Sequence, residues 1–265
     1  MNSTFYLLIF ICIIFIICLL FYLFQERFIF LTEEKLERNY QYHFSNKFEE
    51  IFIKTDGDNE INALHFKQPN AKGVVLFCHG NKGNLTKWGN RVSYFLEYNY
   101  EVLVFDYRNY GKSTGKFKEK DMYNDGLTVY NYLKDSFKEE NIVVYGFSLG
   151  GTFATKIASK NMPKELILEA PFYNFNKAVQ YKSKFVPIFL LKYQFRTDKD
   201  IVNVTSPITV FHGNKDETTY FKESKKLLRL NKSIRNKFVE INEGSHHNIR
   251  EFAIYKEKLK EILDR

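Results

Sequence analysis

The stretch VVYGFSLGG, Val143 to Gly151, runs a short apolar segment into a serine that has a glycine two residues to either side and a third behind. An apolar, β-branched run of this length reads as a buried strand, and the small residues after it suit a sharp turn into a helix. The spacing Gly146-x-Ser148-x-Gly150 is the nucleophile-elbow pattern, which holds a serine hydroxyl at the tip of a strand-to-helix turn. Glycine is needed there because a Cβ would collide with the crowded backbone. The first turn of the following helix adds free N–H groups and partial positive charge beside the serine. A glycine-rich turn without chemistry has the same local pattern, so the surroundings decide.

Outward from this stretch the chain alternates. Apolar runs at Glu49–Lys54, Ile61–Phe66, Gly73–Cys78, Glu101–Phe105, Ile142–Tyr145, Leu166–Leu168, Ile208–Phe211 and Lys237–Ile241 read as eight strands. Helical periodicity appears at Leu85–Tyr98, Met122–Phe137, Leu149–Ser159, Phe221–Leu230 and Ile249–Leu263. Thr55-Asp56-Gly57-Asp58 is a hairpin signal, so the first two strands are expected to be antiparallel. From Gly73 onward the alternation predicts a mostly parallel sheet covered by helices on both faces. An active site is then expected at the carboxyl ends of the strands, where Ser148 falls.

An acyl-transfer serine needs a base, a carboxylate to orient it, and donors for the oxyanion. In this kind of sheet the chain order is serine, acid, histidine. Of six histidines, His43 and His65 precede the parallel sheet, and His79 and His212 each end a strand before a glycine, which suits structural roles. His246 and His247 lie in INEGSHHN after the last strand, in a loop able to reach over the serine. His246 is preferred and His247 is the alternative base. For the acid, FHGNKDE puts Asp216 just past the penultimate strand, with Glu217 next to it as a fallback. Asp106 in VFDYRNYG precedes Ser148 and is read as fixing a nearby loop. The glycine-containing loop of LFCHGNKGN can aim the backbone N–H of Asn81 at the serine, and Leu149, which follows the nucleophile, supplies a second N–H. Gly111-Lys112-Ser113 has the look of a phosphate loop, but the glycine required five residues earlier is Asp106, so nucleotide binding is set aside.

The chain has 265 residues, 45% hydrophobic and 17% aromatic, enough for one domain with an appendage, and a net charge of +8. The basic balance fits an anionic membrane surface or solubility; without zinc-finger spacing or an RNP-like motif, nucleic acid is the weakest partner class. Cys12, Cys18 and Cys78 form neither a disulfide framework nor a metal site. Residues 5–24 carry no charge, a length that matches a membrane-spanning helix. No basic residue precedes this segment and no small-residue cleavage pattern follows it, so an uncleaved anchor is favoured over a signal peptide. Arg27, Lys35 and Arg38 follow, which places the body on the cytoplasmic side of a single-pass protein. Asn84, Asn203 and Asn231 begin glycosylation-type triplets that matter only in a lumen. The expected organisation is an anchor at 5–24, a connector at 25–46 and a body at 47–265, with a small cap insertion at 171–206. That cap interleaves aromatic residues (Phe172, Tyr173, Phe175, Tyr181, Phe185, Phe189, Tyr193, Phe195) with lysine and arginine. Its expected form is an apolar underside with a solvated top, and the basic and aromatic mixture also suits anionic lipid. It is too short for a deep closed tunnel.

With these residues in place, the chain resembles the α/β-hydrolase superfamily, most of all the membrane-anchored depalmitoylase-like α/β-hydrolase domain proteins. The resemblance rests on FCHGNKGNLTKWGNR, VLVFDYRNYGKSTG, VVYGFSLGG with EAPF, and FHGNKDE with GSHHN, spanning Gly73 to Asn248. It implies an α/β-hydrolase fold with Ser148 as nucleophile, Asp216 as acid, His246 as base, and Asn81 and Leu149 as oxyanion donors. Asn109 stands where such proteins usually have glycine, and an apolar helix replaces the cysteine-rich terminus of some relatives. The expected activity is hydrolysis of a small acyl ester, thioester or lipid-like substrate through an acyl-enzyme, with no metal or organic cofactor. An imidazole base would make activity fall below roughly pH 6.5, where an ordinary histidine protonates. The rival readings are a catalytically silent, membrane-tethered binding protein of the same fold, and a serine peptidase.

Overall fold

In a computed structural model the protein is described over residues 3–33, 35–184 and 186–265; Phe185, counted above among the cap aromatics, lies outside them. Eight strands form one sheet in the order β1-β2-β4-β3-β5-β6-β7-β8. They are β1 (Glu49–Lys54), β2 (Glu60–Phe66), β3 (Val74–Cys78), β4 (Glu101–Phe105), β5 (Ile142–Phe147), β6 (Glu165–Glu169), β7 (Ile208–Gly213) and β8 (Lys237–Ile241). β1 and β2 pair antiparallel, as the hairpin signal requires, and β2 is antiparallel to β4; every pairing from β3 to β8 is parallel.

The helices are α1 (Ser3–Phe24), α2 (Glu26–Ile29), α3 (Leu85–Val92), α4 (Glu119–Lys134), α5 (Gly150–Ala158), α6 (Phe175–Lys182), α7 (Thr197–Asp200), α8 (Phe221–Leu230) and α9 (Ala253–Leu263). The alternation of side chains along each strand divides the core. Val74, Leu76 and Cys78 pack with Met122 and Val129 of α4, Phe153 and Ile157 of α5 and Leu227 of α8. Val75 and Phe77 point the other way, to Leu85 and Trp88 of α3 and Tyr255 and Leu259 of α9. Continuous apolar strands are therefore buried on both faces, the condition under which a parallel sheet is stable.

Three helices differ from the sequence expectation; the one expected over Ile249–Leu263 opens with a 3-10 turn at Ile249–Glu251 and is α-helical only from Ala253. The helix expected over Leu85–Tyr98 is α-helical only to Val92 and tightens to a 3-10 turn over Ser93–Tyr98, closed by Asn99 in the left-handed region at φ +60°. α4 begins at Glu119, three residues before the apolar periodicity does, and ends at Lys134. The Glu119 carboxylate accepts hydrogen bonds from Gln194 N (2.7 Å) and Phe195 N (3.1 Å), a tertiary tie that periodicity does not report.

α1 is a single apolar rod. Its Thr4–Phe24 segment has 21 residues and none of its most apolar window is buried against the protein. At 1.5 Å per residue it is about 31 Å long, close to the hydrocarbon thickness of a bilayer. Its base is fixed to the body by one buried side chain. Gln25 donates to Leu190 O (3.0 Å) and accepts from Lys192 N (2.9 Å), both in the segment between β6 and β7.

Candidate active site

Ser148 sits between β5 and α5 at φ +52°, a left-handed conformation that costs a non-glycine residue about 1–3 kcal/mol. The turn is held from both sides: Ser148 N–H donates to Glu169 O on β6, and Gly151 N–H donates to Ser148 O, each at 2.9 Å. The flanking glycines are required by close approach. A Cβ on Gly150 would lie 1.9 Å from Cys78 O, and one on Gly146 would lie 2.6 Å from Gly150 O. The elbow is thus jammed against the end of β3 and projects the hydroxyl over the carboxyl edge of the sheet.

The loop after β8 brings His246 to that hydroxyl, with Nε2 3.1 Å from Ser148 Oγ. On the far side of the ring, Nδ1 is 2.7 Å from Asp216 Oδ2. With Nδ1 protonated, the ring donates to the carboxylate and accepts from the serine. His247 makes no hydrogen bond to Ser148 or Asp216 among the described residues; it lies edge-on to His246 at 4.9 Å between ring centres. Burial, followed by the charges of His246, Arg91 and Lys87, pushes the His247 pKa below that of an ordinary histidine. Glu217 points to solvent, and its backbone oxygen accepts from Lys182 Nζ at 2.6 Å.

Asp216 is buried and heavily bonded. Thr218 N (2.7 Å) and Thr219 N (2.8 Å) donate to Oδ1, and the Thr219 hydroxyl donates to Oδ2 at 2.9 Å. His212 Nε2 lies 3.1 Å from the same Oδ2. Burial alone would raise the carboxyl pKa, but the hydrogen bonds from His212 and His246 outweigh it and hold the group well below the usual carboxylate range. Sequence reading took His212 as structural, and its position against Asp216 was missed. The available signal was its placement four residues before the acid, at the end of the same strand. Thr219 carried no signal of its own.

The loop after β3 places Asn81 across from Leu149, and both line the cleft above Ser148. The Asn81 side chain is engaged elsewhere: Tyr110 Oη donates to its Oδ1 at 2.8 Å, and its Nδ2 donates to Ile29 O at 2.6 Å. Neither backbone N–H, of Asn81 or of Leu149, donates to another group among the described residues, so both are available to a ligand. Asp106 stands behind this loop. Its Oδ2 accepts from Leu85 N at 3.2 Å and its Oδ1 faces His79 Nε2 at 3.2 Å. Burial pushes the Asp106 pKa up, against the opposing pull of His79 and the Leu85 N–H. Asn109, where glycine was expected, takes φ +66°; asparagine is the residue type best able to replace glycine there. Lys112 and Ser113 of the phosphate-loop look-alike are turned inward: Lys112 Nζ donates to Glu50 at 2.7 Å, and Ser113 Oγ donates to Asp106 O at 2.7 Å.

The cleft has a volume of about 340 Å³, within the size range of small-ligand sites. Phe172, Phe175 and Val179 line it from the segment between β6 and β7, giving that segment an apolar underside. Phe21, Phe28 and Ile29 line it from α1 and α2. No carboxylate lines it among the described residues.

A strand-turn-helix serine on an eight-stranded sheet of this order defines an α/β-hydrolase-type hydrolase. Residues 69–196 match the family described as serine aminopeptidase, S33. Uncharacterized protein R595 of Acanthamoeba polyphaga mimivirus is 30% identical over 224 residues, 75% of each chain. Alpha/beta hydrolase domain-containing protein 17C of Mus musculus is 27% identical over 238 residues, 87% of this chain and 72% of its own. The esterase Pf2001 of Pyrococcus furiosus shares the fold with a TM-score of 0.70 over 87% of this chain and 99% of its own, at 20% identity. The chain belongs to the α/β-hydrolase superfamily and is similar to its depalmitoylase-like members.

Proposed function

We propose that the protein is a membrane-anchored serine hydrolase that cleaves a carboxylic ester or thioester through an acyl-enzyme. The observation that carries this reading is the continuous chain from Ser148 Oγ to His246 Nε2 (3.1 Å) and from His246 Nδ1 to Asp216 (2.7 Å), built on a serine at φ +52°. His246 takes the hydroxyl proton as Ser148 Oγ attacks the acyl carbonyl carbon. The oxyanion receives hydrogen bonds from Asn81 N–H and Leu149 N–H, each donor lowering the barrier by about 3–4 kcal/mol. The bond to the leaving group breaks as His246 returns the proton to it. Water then attacks the acyl-serine by the same route and releases the acid. Asp216 keeps the imidazole in the tautomer whose Nε2 faces the serine and stabilises the imidazolium formed in between.

The cleft supports an acyl substrate over a peptide with a free amine. An α-amino group would need a carboxylate partner in the cleft, and the described lining supplies Lys182 instead. In the same reading residues 5–24 span a bilayer, 25–46 connect, 47–265 form the hydrolase body, and 171–206 cap it. Arg27, Lys35 and Arg38 favour a cytoplasmic body. The test is hydrolysis of p-nitrophenyl esters and acyl thioesters by wild type and Ser148→Ala: the reading expects a loss of at least about a thousandfold, and full activity in the variant contradicts it.

A further inference from the structure

The anchor meets the cleft. Cys18 and Phe21 of α1 are half-buried and Gln25, the residue after its end, is fully buried, a stripe at helical spacing whose last member meets the segment between β6 and β7. Gln25 ties that stripe to Leu190 and Lys192, and Tyr193 Oη donates to Glu26 at 2.7 Å. One turn later Asn81 brackets the chain, donating to Ile29 O (2.6 Å) and facing Leu31 N at 3.4 Å. The end of the anchor is therefore clamped between the cap and the loop that presents the Asn81 N–H. Phe21, Phe28 and Ile29 close one side of the same 340 Å³ cleft that has Ser148 at its inner end. Phe28, which lines the cleft, is 72% exposed, and Phe189, next to the Leu190 that holds Gln25, is 83% exposed, at the base of an apolar helix. Exposed aromatic rings continuous with a spanning helix lie where a bilayer surface covers them.

We infer that α1 and α2 form one wall of the acyl-binding pocket, so that side chains of the anchor itself set which acyl chain lengths reach Ser148, the chain lying against Phe21, Phe28 and Ile29 with its carbonyl at Ser148. This rests on the acyl-enzyme reading above. The anchor is a specificity element as well as a tether. Each further methylene that contacts this wall raises kcat/KM roughly fourfold until the pocket is full.

The test uses the full chain in nanodiscs and the ratio of kcat/KM for p-nitrophenyl dodecanoate to that for the acetate. Phe21→Ala, which opens the wall, and Ile29→Trp, which fills the pocket, are each expected to lower this ratio tenfold or more. Phe28→Ala removes an exposed ring without disturbing packing and is expected to lower it severalfold. Phe15→Ala, also on α1 but 66% exposed and remote from the cleft, is expected to leave it unchanged. Fluorophosphonate labelling of each variant reports an intact elbow; where Phe21→Ala or Ile29→Trp fails to label, Phe28→Ala decides. Wild-type ratios in properly labelled wall variants overturn the inference and leave the acyl-enzyme reading intact, whereas a wild-type protein that never labels overturns the latter.

Discussion

Gly150→Ala is a demanding perturbation of the elbow because it adds one methyl group and removes no functional atom. The new Cβ would lie 1.9 Å from Cys78 O and 2.6 Å from His79 O. Neither oxygen is free to retreat. Cys78 is paired to β4 on one side and β5 on the other, and His79 O accepts the Tyr107 hydroxyl at 2.7 Å. Ordinary contact begins near 3.4 Å, so α5 must back away from β3 by about 1.5 Å. Ser148 and Leu149 lead directly into that helix and move with it. The 3.1 Å contact between Ser148 and His246 then exceeds hydrogen-bonding distance, and the Leu149 N–H leaves its place. Misplacement of this size costs about a hundredfold or more in the acylation rate. Overpacking adds about 1–3 kcal/mol of destabilisation, or about 2–12 °C in Tm for a chain of this size. Fluorophosphonate labelling kinetics and a thermal melt in the same detergent read both quantities. Labelling within twofold of wild type, with an unchanged Tm, would refute the packing argument for the elbow.

Two further substitutions probe the groups around it. Asp216→Asn leaves the shape but removes the charge, and kcat is expected to fall by about four orders of magnitude. Because the Asp216 carboxyl is held below its ordinary pKa, its stabilising effect is complete above about pH 3.9 and is lost as pH falls toward its lower folded value. The Tm of wild type should therefore fall more steeply between pH 5 and pH 2 than that of the variant, and parallel curves would count against the assignment. Glu169→Ala tests the support behind the serine. Glu169 is fully buried, accepts from Tyr145 Oη at 2.5 Å, and faces Arg91 at 3.2 Å and Arg250 at 3.9 Å. Its removal strands two cations and is expected to cost about 3–5 kcal/mol, measured by thermal melting; a loss below about 1 kcal/mol would show that the network is replaceable.

Much of this architecture was legible because the signals were local. Val74–Cys78 and Ile142–Phe147 are apolar on both faces and bounded by polar or glycine-rich turns, so their burial could be read without knowing their neighbours. Ser148 was legible because its strained turn demands glycine on either side. The choice between His246 and His247 was weakly marked, since adjacent residues on a loop differ only in direction; the fold turns the first toward Asp216 and the second away. Pairings across long stretches left no pattern at all. Gln25 meets Leu190 across 165 residues and Asn81 meets Ile29 across 52, each through a single side chain with no repeat or spacing to reveal it. The contact of His212 with Asp216 left no pattern for the same reason: a buried histidine at a strand end does not reveal its partner until that partner's position is known. Asn84 and Asn231, read as glycosylation triplets, are buried, Asn84 capping α3 and Asn231 bonding to Ile201 O and Val204 O.

The central claim is that Ser148 is the atom that attacks. Incubation of the detergent-solubilised full chain with a fluorophosphonate, followed by proteolysis and mass spectrometry, tests it directly. The account predicts a single phosphonyl adduct on Ser148, formed more slowly when His246 is alanine and absent from Ser148→Ala. An adduct on another residue, or none on a protein that hydrolyses esters, would contradict it.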